Sequence, residues 1–246
     1  MSYTVFTLAE HPELEAEMPR LHSASWPAFV MDDPAVLQYW GSLFSIFAKY
    51  QYVLCNEQDE AVAAGHTIPL LWDGTVAGLT AGWDAALIQG FHDREQQREV
   101  NALCGLSIVT APEVKSKGLS TTMVLAMKDI ALRENLSALI LPLRPSQKHR
   151  YPLIPMENYM HWKRPDGAPF DPWLRVHLRL GAKILAIAPR SMVTDGTVAQ
   201  WEEWTGQSMP GSGEYIVEGA LCPVQIDHIR DIGRYEEPNI WISHTL

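Results

Sequence analysis

The sequence predicts a mixed α/β fold in a single domain, and three observations carry that prediction. Residues 103–143 read as a strand, a glycine-bearing turn, an amphipathic helix and a second strand that is almost wholly apolar. That is the pattern of two neighbouring parallel strands joined by a right-handed crossover. On both sides of this unit, strand-like and helix-like periods follow one another with no repeat, low-complexity tract or charge block. The chain is 246 residues long and 47% hydrophobic, enough for one sizeable core, and no shift in composition marks a domain boundary.

The elements follow in order. Tyr3–Leu8 alternates as a short strand. Apolar residues recur at helical spacing from Pro12 to about Trp26 and again from Pro34 to Tyr50, where Pro34 after Asp32 and Asp33 is a favourable helix opening. Strands at Gln51–Asn56 and Ala61–Leu71, joined by Glu57-Gln58-Asp59-Glu60, make a hairpin. Residues 73–100 are broken by Gly74, Gly78, Gly82 and Gly90, and read as an inserted loop with one short helix. Leu103–Val109 is a strand. Beyond the turn Lys115-Ser116-Lys117-Gly118, the residues Leu119, Met123, Ala126, Met127, Ile130 and Ala131 share one helical face, and Asn135 stops that helix in a left-handed cap. Ala138–Leu143 is a strand buried on both faces. Residues 146–171, rich in Pro, His, Tyr and Trp, form a second insertion. Pro172–Leu180 is a helix closed by Gly181, Lys183–Ala188 and Tyr215–Val224 are strands, and Trp201–Thr205 is a short helix. The last 20 or so residues have no strong period, so the sheet has about seven strands.

Charge and cysteine usage exclude several classes. Nineteen basic residues against 29 acidic ones give a net charge of −10, the wrong sign for a broad nucleic-acid interface. No apolar stretch approaches the roughly 20 residues of a membrane span, and the first 17 residues carry four Glu in place of a basic-then-apolar leader. Cys55, Cys104 and Cys222 are odd in number and far apart, which fits neither a disulfide framework nor a metal knuckle. A cytoplasmic protein without a metal is expected.

The turn Lys115–Ser120 can do chemistry. A strand that runs through a glycine turn into a helix turns several free backbone N–H groups outward, and with the helix dipole they suit a phosphate. An ordinary solvated turn has the same composition, so the turn alone does not decide. Neither standard nucleotide-binding glycine pattern is present.

The surroundings add to it. Leu106-Ser-Ile-Val-Thr-Ala-Pro-Glu-Val-Lys-Ser-Lys-Gly-Leu-Ser120 resembles the acetyl-CoA-binding segment of the GNAT acetyltransferase superfamily. In that family a strand is followed by Arg or Gln, two residues, Gly, one residue, and Gly or Ala. Gly118 matches, while Lys115 and Ser120 stand where Arg or Gln and Gly or Ala are usual. The resemblance implies a central mixed, twisted sheet with helices on both faces and a wedge splayed between the fourth and fifth strands. It implies an acyl-CoA-dependent N-acyltransferase that moves an acetyl or other acyl group to an amine of a small molecule. The pantetheine arm would lie along Ile108, Val109 and Thr110, and the pyrophosphate over Lys115, Ser116, Lys117, Gly118, Leu119 and Ser120. The family's fourth helix often ends in a Tyr four residues before a Gly, where the Tyr protonates the departing thiolate. Here His177 holds that position before Gly181, and an imidazole can donate a proton near neutral pH. Glu99 is the leading candidate for the base, with Asp84 and His161 behind it. The aromatic insertion 146–171, with Phe170 and Trp173, would lid the wedge or merely pack on the sheet. A catalytically inactive domain of the same fold, binding acyl-CoA or a protein partner, is the competing reading. Pairing of leftover apolar edges would make a homodimer.

Overall fold

In a computed structural model of the chain, residues 2–22, 26–111, 114 and 118–246 are described. One nine-stranded sheet runs through the molecule: β1 (Thr4–Thr7), β2 (Gln51–Cys55), β3 (Ala61–Leu70), β4 (Ala102–Thr110), β5 (Ala138–Leu143), β6 (Lys183–Gly196), β7 (Gly213–Tyr215), β8 (Val224–Asp227) and β9 (Ile232–His244). The spatial order is β1-β2-β3-β4-β5-β9-β8-β7, with β6 paired to β9 off that path. β4 and β5 are parallel and every other pair is antiparallel.

The α-helices are α1 (Met18–His22), α2 (Ala28–Met31), α3 (Gly41–Ile46), α4 (Trp83–Glu95), α5 (Leu119–Arg133), α6 (Met156–Tyr159), α7 (Pro172–Arg179) and α8 (Val198–Thr205). A π-helical turn, Val36–Trp40, runs directly into α3. The apolar face predicted for α5 is the buried one: Leu119, Met123, Ala126, Met127, Ile130 and Ala131 all lie in the core. Asn135 takes the expected left-handed conformation, with φ of 56°. Asp171 caps α7, accepting from the backbone N–H groups of Trp173 and Leu174.

Three sequence expectations are corrected. The C-terminal segment without a period is the thirteen-residue β9, which pairs with β5, β6 and β8. Residues 239–242 of it are buried on both faces, and Glu237 is drawn inside by an ion pair, so the alternation of a half-exposed strand is lost. Tyr215–Val224 is not one strand: β7 ends at Tyr215 and β8 begins at Val224. The two helical stretches before β2 are divided among short 3-10, α and π turns.

The feature that positions the site is a fork in the sheet. β4 pairs with β5 at Ala102–Ala138, Leu103–Leu139 and Cys104–Ile140, and no further. β4 stays paired with β3 as far as Thr110, and β5 stays with β9 as far as Leu143. The two strands therefore part beyond Cys104, each held by its other neighbour. The β3–β4 register also shifts between His66 and Thr67, opposite Ser107 and Gly105, which leaves Leu106 as the extra residue of a bulge beside the fork.

Candidate active site

A cleft of about 850 Å³ fills the fork. One wall is β4 from Gly105 to Thr110 and the other is β5 from Leu141 to Leu143, continuing to Arg144. Between these residues β4 presents a backbone edge with no strand on it, which can pair with an extended ligand as an added strand would.

At the end of β4 the chain turns into α5. Gly118 precedes the first turn of α5 with φ of 77°, and no side chain caps the free N–H groups there. Among the described residues, nothing lies within 4 Å of where a Cβ on Gly118 would sit. Glycine is needed here for its left-handed backbone, and the space outside the turn is open. Ser120, one residue into the helix, lines the cleft, while Leu119 is buried. Lys115, Ser116 and Lys117 lie outside the described residues. Ile108, Val109 and Thr110 all line the cleft, as expected of a cofactor edge. The described part of this site fits an extended chain ending in an anion.

Across the cleft stands the start of α4. The indole N–H of Trp83 donates to the carbonyl of Leu106 at 2.7 Å, tying α4 to the bulge. The backbone N–H of Trp83 donates to Ser191 Oγ at 2.8 Å, and Asp84 accepts from the N–H of Val193 at 2.9 Å, which stitches the same turn to β6. Gly82 makes this approach feasible, since a Cβ there would lie 2.1 Å from the Ser191 Cα. Asp84 sits against Asp33. Burial and then the Asp33 charge push the Asp84 carboxyl up to about 8, and burial raises Asp33 as well. Asp33 Oδ2 and Asp84 Oδ1 are both buried and have no partner. A single proton held between the two acids resolves both vacancies.

On the far lip of the fork, Arg144 follows β5 directly. Its Nε donates to both carboxylate oxygens of the fully buried Glu237, at 2.9 and 3.0 Å, and its Nη2 donates to the Gly219 carbonyl at 2.6 Å. Glu237 also accepts from Tyr235 Oη at 2.7 Å and from Asn239 Nδ2 at 3.0 Å. The pair is fully hydrogen-bonded, which buried charges require. Neither residue stands out in the sequence: Glu237 sits in the polar stretch Glu236-Glu237-Pro238-Asn239.

The structure does not bring the other predicted residues to the cleft. His177 is fully buried, with its ring centroid 4.3 Å from that of Trp173, and it is Trp173 that lines the cleft. His177 Nδ1 bonds His244 Nε2 at 2.8 Å, and burial, with His244 adding, pushes the imidazole down to about 3. It is not placed to protonate a thiolate in the fork. Glu99 is exposed in the segment before β4, at the opposite end of that strand from the fork. His161 is exposed and outside the lining. Of the aromatic insertion, Tyr151, Tyr159, Trp162 and Phe170 pack edge to face on one another, with centroids 4.9 to 6.1 Å apart. Two residues of that insertion, Ser146 and His149, line the cleft.

Comparison with known proteins decides the family. No model of a known protein family matches the chain. Over 282 aligned residues the chain is 32% identical to the arginine N-acetyltransferase avaD of Aspergillus versicolor, an alignment covering 99% of this chain and 94% of that protein. The chain belongs to the GNAT N-acetyltransferase superfamily. It is an acyl-CoA-dependent N-acyltransferase. Two solved structures share the fold of this GNAT enzyme. The loading GNATL domain of CurA from Lyngbya majuscula is 16% identical with a TM-score of 0.59, covering 100% of this chain and 98% of that one. The GphF GNAT-like decarboxylase, solved in complex with isobutyryl-CoA, is 17% identical with a TM-score of 0.61, covering 100% and 99%. Among the described residues of the acyltransferase, no helix is long and apolar enough to cross a membrane.

Proposed function

We propose that this enzyme transfers an acetyl group from acetyl-CoA to a nitrogen of a small cationic acceptor of the arginine class. The observation that carries the donor half is the fork at Cys104 and Ile140, which leaves β4 an unpaired edge leading to the open turn at Gly118. The pantetheine arm lies along Ile108–Thr110 and the pyrophosphate meets the N-terminus of α5.

The acceptor half rests on the other arm of the cleft and on the named relative. That arm is lined by Trp26, Phe29, Trp83 and Trp204, with the exposed carboxylate of Glu218. Indole faces and carboxylates are the surroundings that draw a guanidinium or ammonium group. Arg144, the one Lys or Arg among the described residues of the lining, is neutralised by Glu237, so it does not repel a cationic acceptor. Three free cysteines agree with a reducing compartment, and we place the enzyme in the cytoplasm.

The test is release of free thiol from acetyl-CoA across a set of amines, with arginine, other guanidines, neutral amines and acidic amines as arms. The reading predicts release with cationic acceptors and little with the others. Release confined to neutral or acidic amines, or stabilisation by CoA with no release on any acceptor, overturns the acceptor assignment.

A further inference from the structure

Beside the cleft lies a chain of directed hydrogen bonds that nothing above has used. Gln51 is fully buried, and its Nε2 donates to the carbonyls of Phe47 at 3.0 Å and Thr67 at 2.8 Å. With both N–H bonds given to carbonyls, the amide cannot be flipped, and Oε1 can only accept. It faces His66 Nδ1 at 3.2 Å, so His66, also fully buried, carries its proton on Nδ1. His66 Nε2 is then a bare lone pair. It lies 2.9 Å from His22 Nε2, which must donate. The two backbone carbonyls therefore determine the tautomer of a third side chain: His22 holds its proton on Nε2 and leaves Nδ1 as a free lone pair. Nδ1 has no partner among the described residues.

His22 closes α1, and its ring lines a slot of about 20 Å³, the room of one amino group, walled by Trp26, Trp40, Trp83 and Met192. Trp26, Trp83 and Met192 are also walls of the main cleft, so the slot opens off the acceptor arm. Three indoles around a space for one nitrogen suit a cationic group, and the imidazole is the one proton acceptor among those side chains. We infer that His22 is the base that takes the proton from the acceptor nitrogen, and that His66 and Gln51 are positioning residues that hold its tautomer. The inference rests on the acyltransfer reading above. Burial lowers both imidazoles below their ordinary 6.5, which keeps them neutral at pH 7 as the relay requires. His66 is the titratable group against His22, and the other rings on it are Trp40 and Phe44.

The step balances. The acceptor N–H gives its proton to His22 Nδ1, and the freed nitrogen lone pair forms the C–N bond to the thioester carbonyl carbon. The C–S bond breaks with its electron pair going to sulfur and CoA leaves as a thiolate; the second proton, shed by the newly acylated nitrogen, goes to that thiolate, and the proton held on His22 goes to solvent. The orientation of a base by a second hydrogen-bonded residue is the logic by which other imidazole bases are held.

Two measurements on the full chain test this. Imidazole nitrogen NMR at pH 7 should show His22 with its proton on Nε2, and Gln51→Met should mix the tautomers of both histidines. In kinetics with a cationic acceptor, His22→Gln should lower kcat roughly 100-fold with CoA affinity unchanged, and the residue of activity should rise about tenfold per pH unit as the acceptor loses its own proton. Gln51→Met should lower kcat with little change in the KM for acetyl-CoA. An Nδ1–H tautomer at His22, or a His22→Gln enzyme as fast as wild type across the pH range, overturns the inference while leaving the enzyme an acetyltransferase. A wild type that acetylates no cationic acceptor fails earlier, at the reading on which this rests, and takes the inference with it.

Discussion

The indole N–H of Trp83 and the carbonyl of Leu106 are joined at 2.7 Å, and this bond ties α4 to the bulge in β4 at the mouth of the fork. Trp83 is 4% exposed, so neither group has water as an alternative partner. Trp83→Phe keeps an aromatic ring but orphans the carbonyl. A buried acceptor left without its donor costs about 1–3 kcal/mol. The variant should lose stability of that order in urea, and acyl-CoA should bind more weakly because the bulge is no longer held. Unchanged binding by titration calorimetry would separate α4 from the cofactor edge.

Gly118 offers a cleaner separation of fold from ligand. Among the described residues no atom lies near its missing Cβ, so Gly118→Ala should cost the unliganded protein about 1 kcal/mol for the left-handed backbone. Gly118→Asp adds a carboxylate where the pyrophosphate is to sit, and CoA affinity should fall well beyond the effect of alanine. Equal affinities for the two variants would take the turn out of the cofactor site.

The pair Arg144–Glu237 should behave as buried charges do when divided. Arg144→Met leaves Glu237 charged and fully buried, and removal of one partner from such a pair costs about 3–5 kcal/mol. Glu237→Gln in the same background removes the stranded charge and should restore part of the loss. If the double variant unfolds at the same urea concentration as Arg144→Met alone, the stranded charge is not the cause.

Stability should pass through a maximum near pH 6.5 as pH is varied. The sign for Asp84 is opposite to that for the buried pair His177 and His244. Asp84 is raised from 3.8 to about 8, so its contribution is present at low pH and is lost as pH rises through 8. His177 and His244 are lowered from 6.5 to about 3 and about 4, so the folded state resists their protonation and stability falls as pH drops below 6.5. Urea midpoints from about pH 4 to about pH 9 check both limbs. Asp84→Asn should flatten the alkaline limb and steepen the acid one, where the Asp84 slope opposes that of the histidines; an unchanged alkaline limb sinks the assignment to the carboxyl pair.

Local sequence determined a good deal of this enzyme. The two strands and the helix within residues 102–143 are set by short-range periodicity, the left-handed stop at Asn135 and the glycine at 118, and these elements build the β4 edge that borders the fork. The β2–β3 hairpin and the glycine that closes α7, Gly181 with φ of 86°, were legible for the same reason. What the tertiary structure decided is where side chains far apart in sequence meet. His177 has the right spacing before Gly181, but a spacing fixes a position along a helix and not which face turns to the cleft; packing against Trp173 and His244 buried it. β9 hid because a strand paired on both edges and covered on both faces has no alternation to show, and because its glutamate is inward only by virtue of Arg144, 93 residues away. The meeting of His22, His66 and Gln51 across three elements, and the parting of β4 from β5 beyond Cys104, likewise depend on how strands and helices stack. Periodicity reports the environment of a residue averaged over its own element; a site is made by contacts between elements, and those are set by the packing of the whole chain.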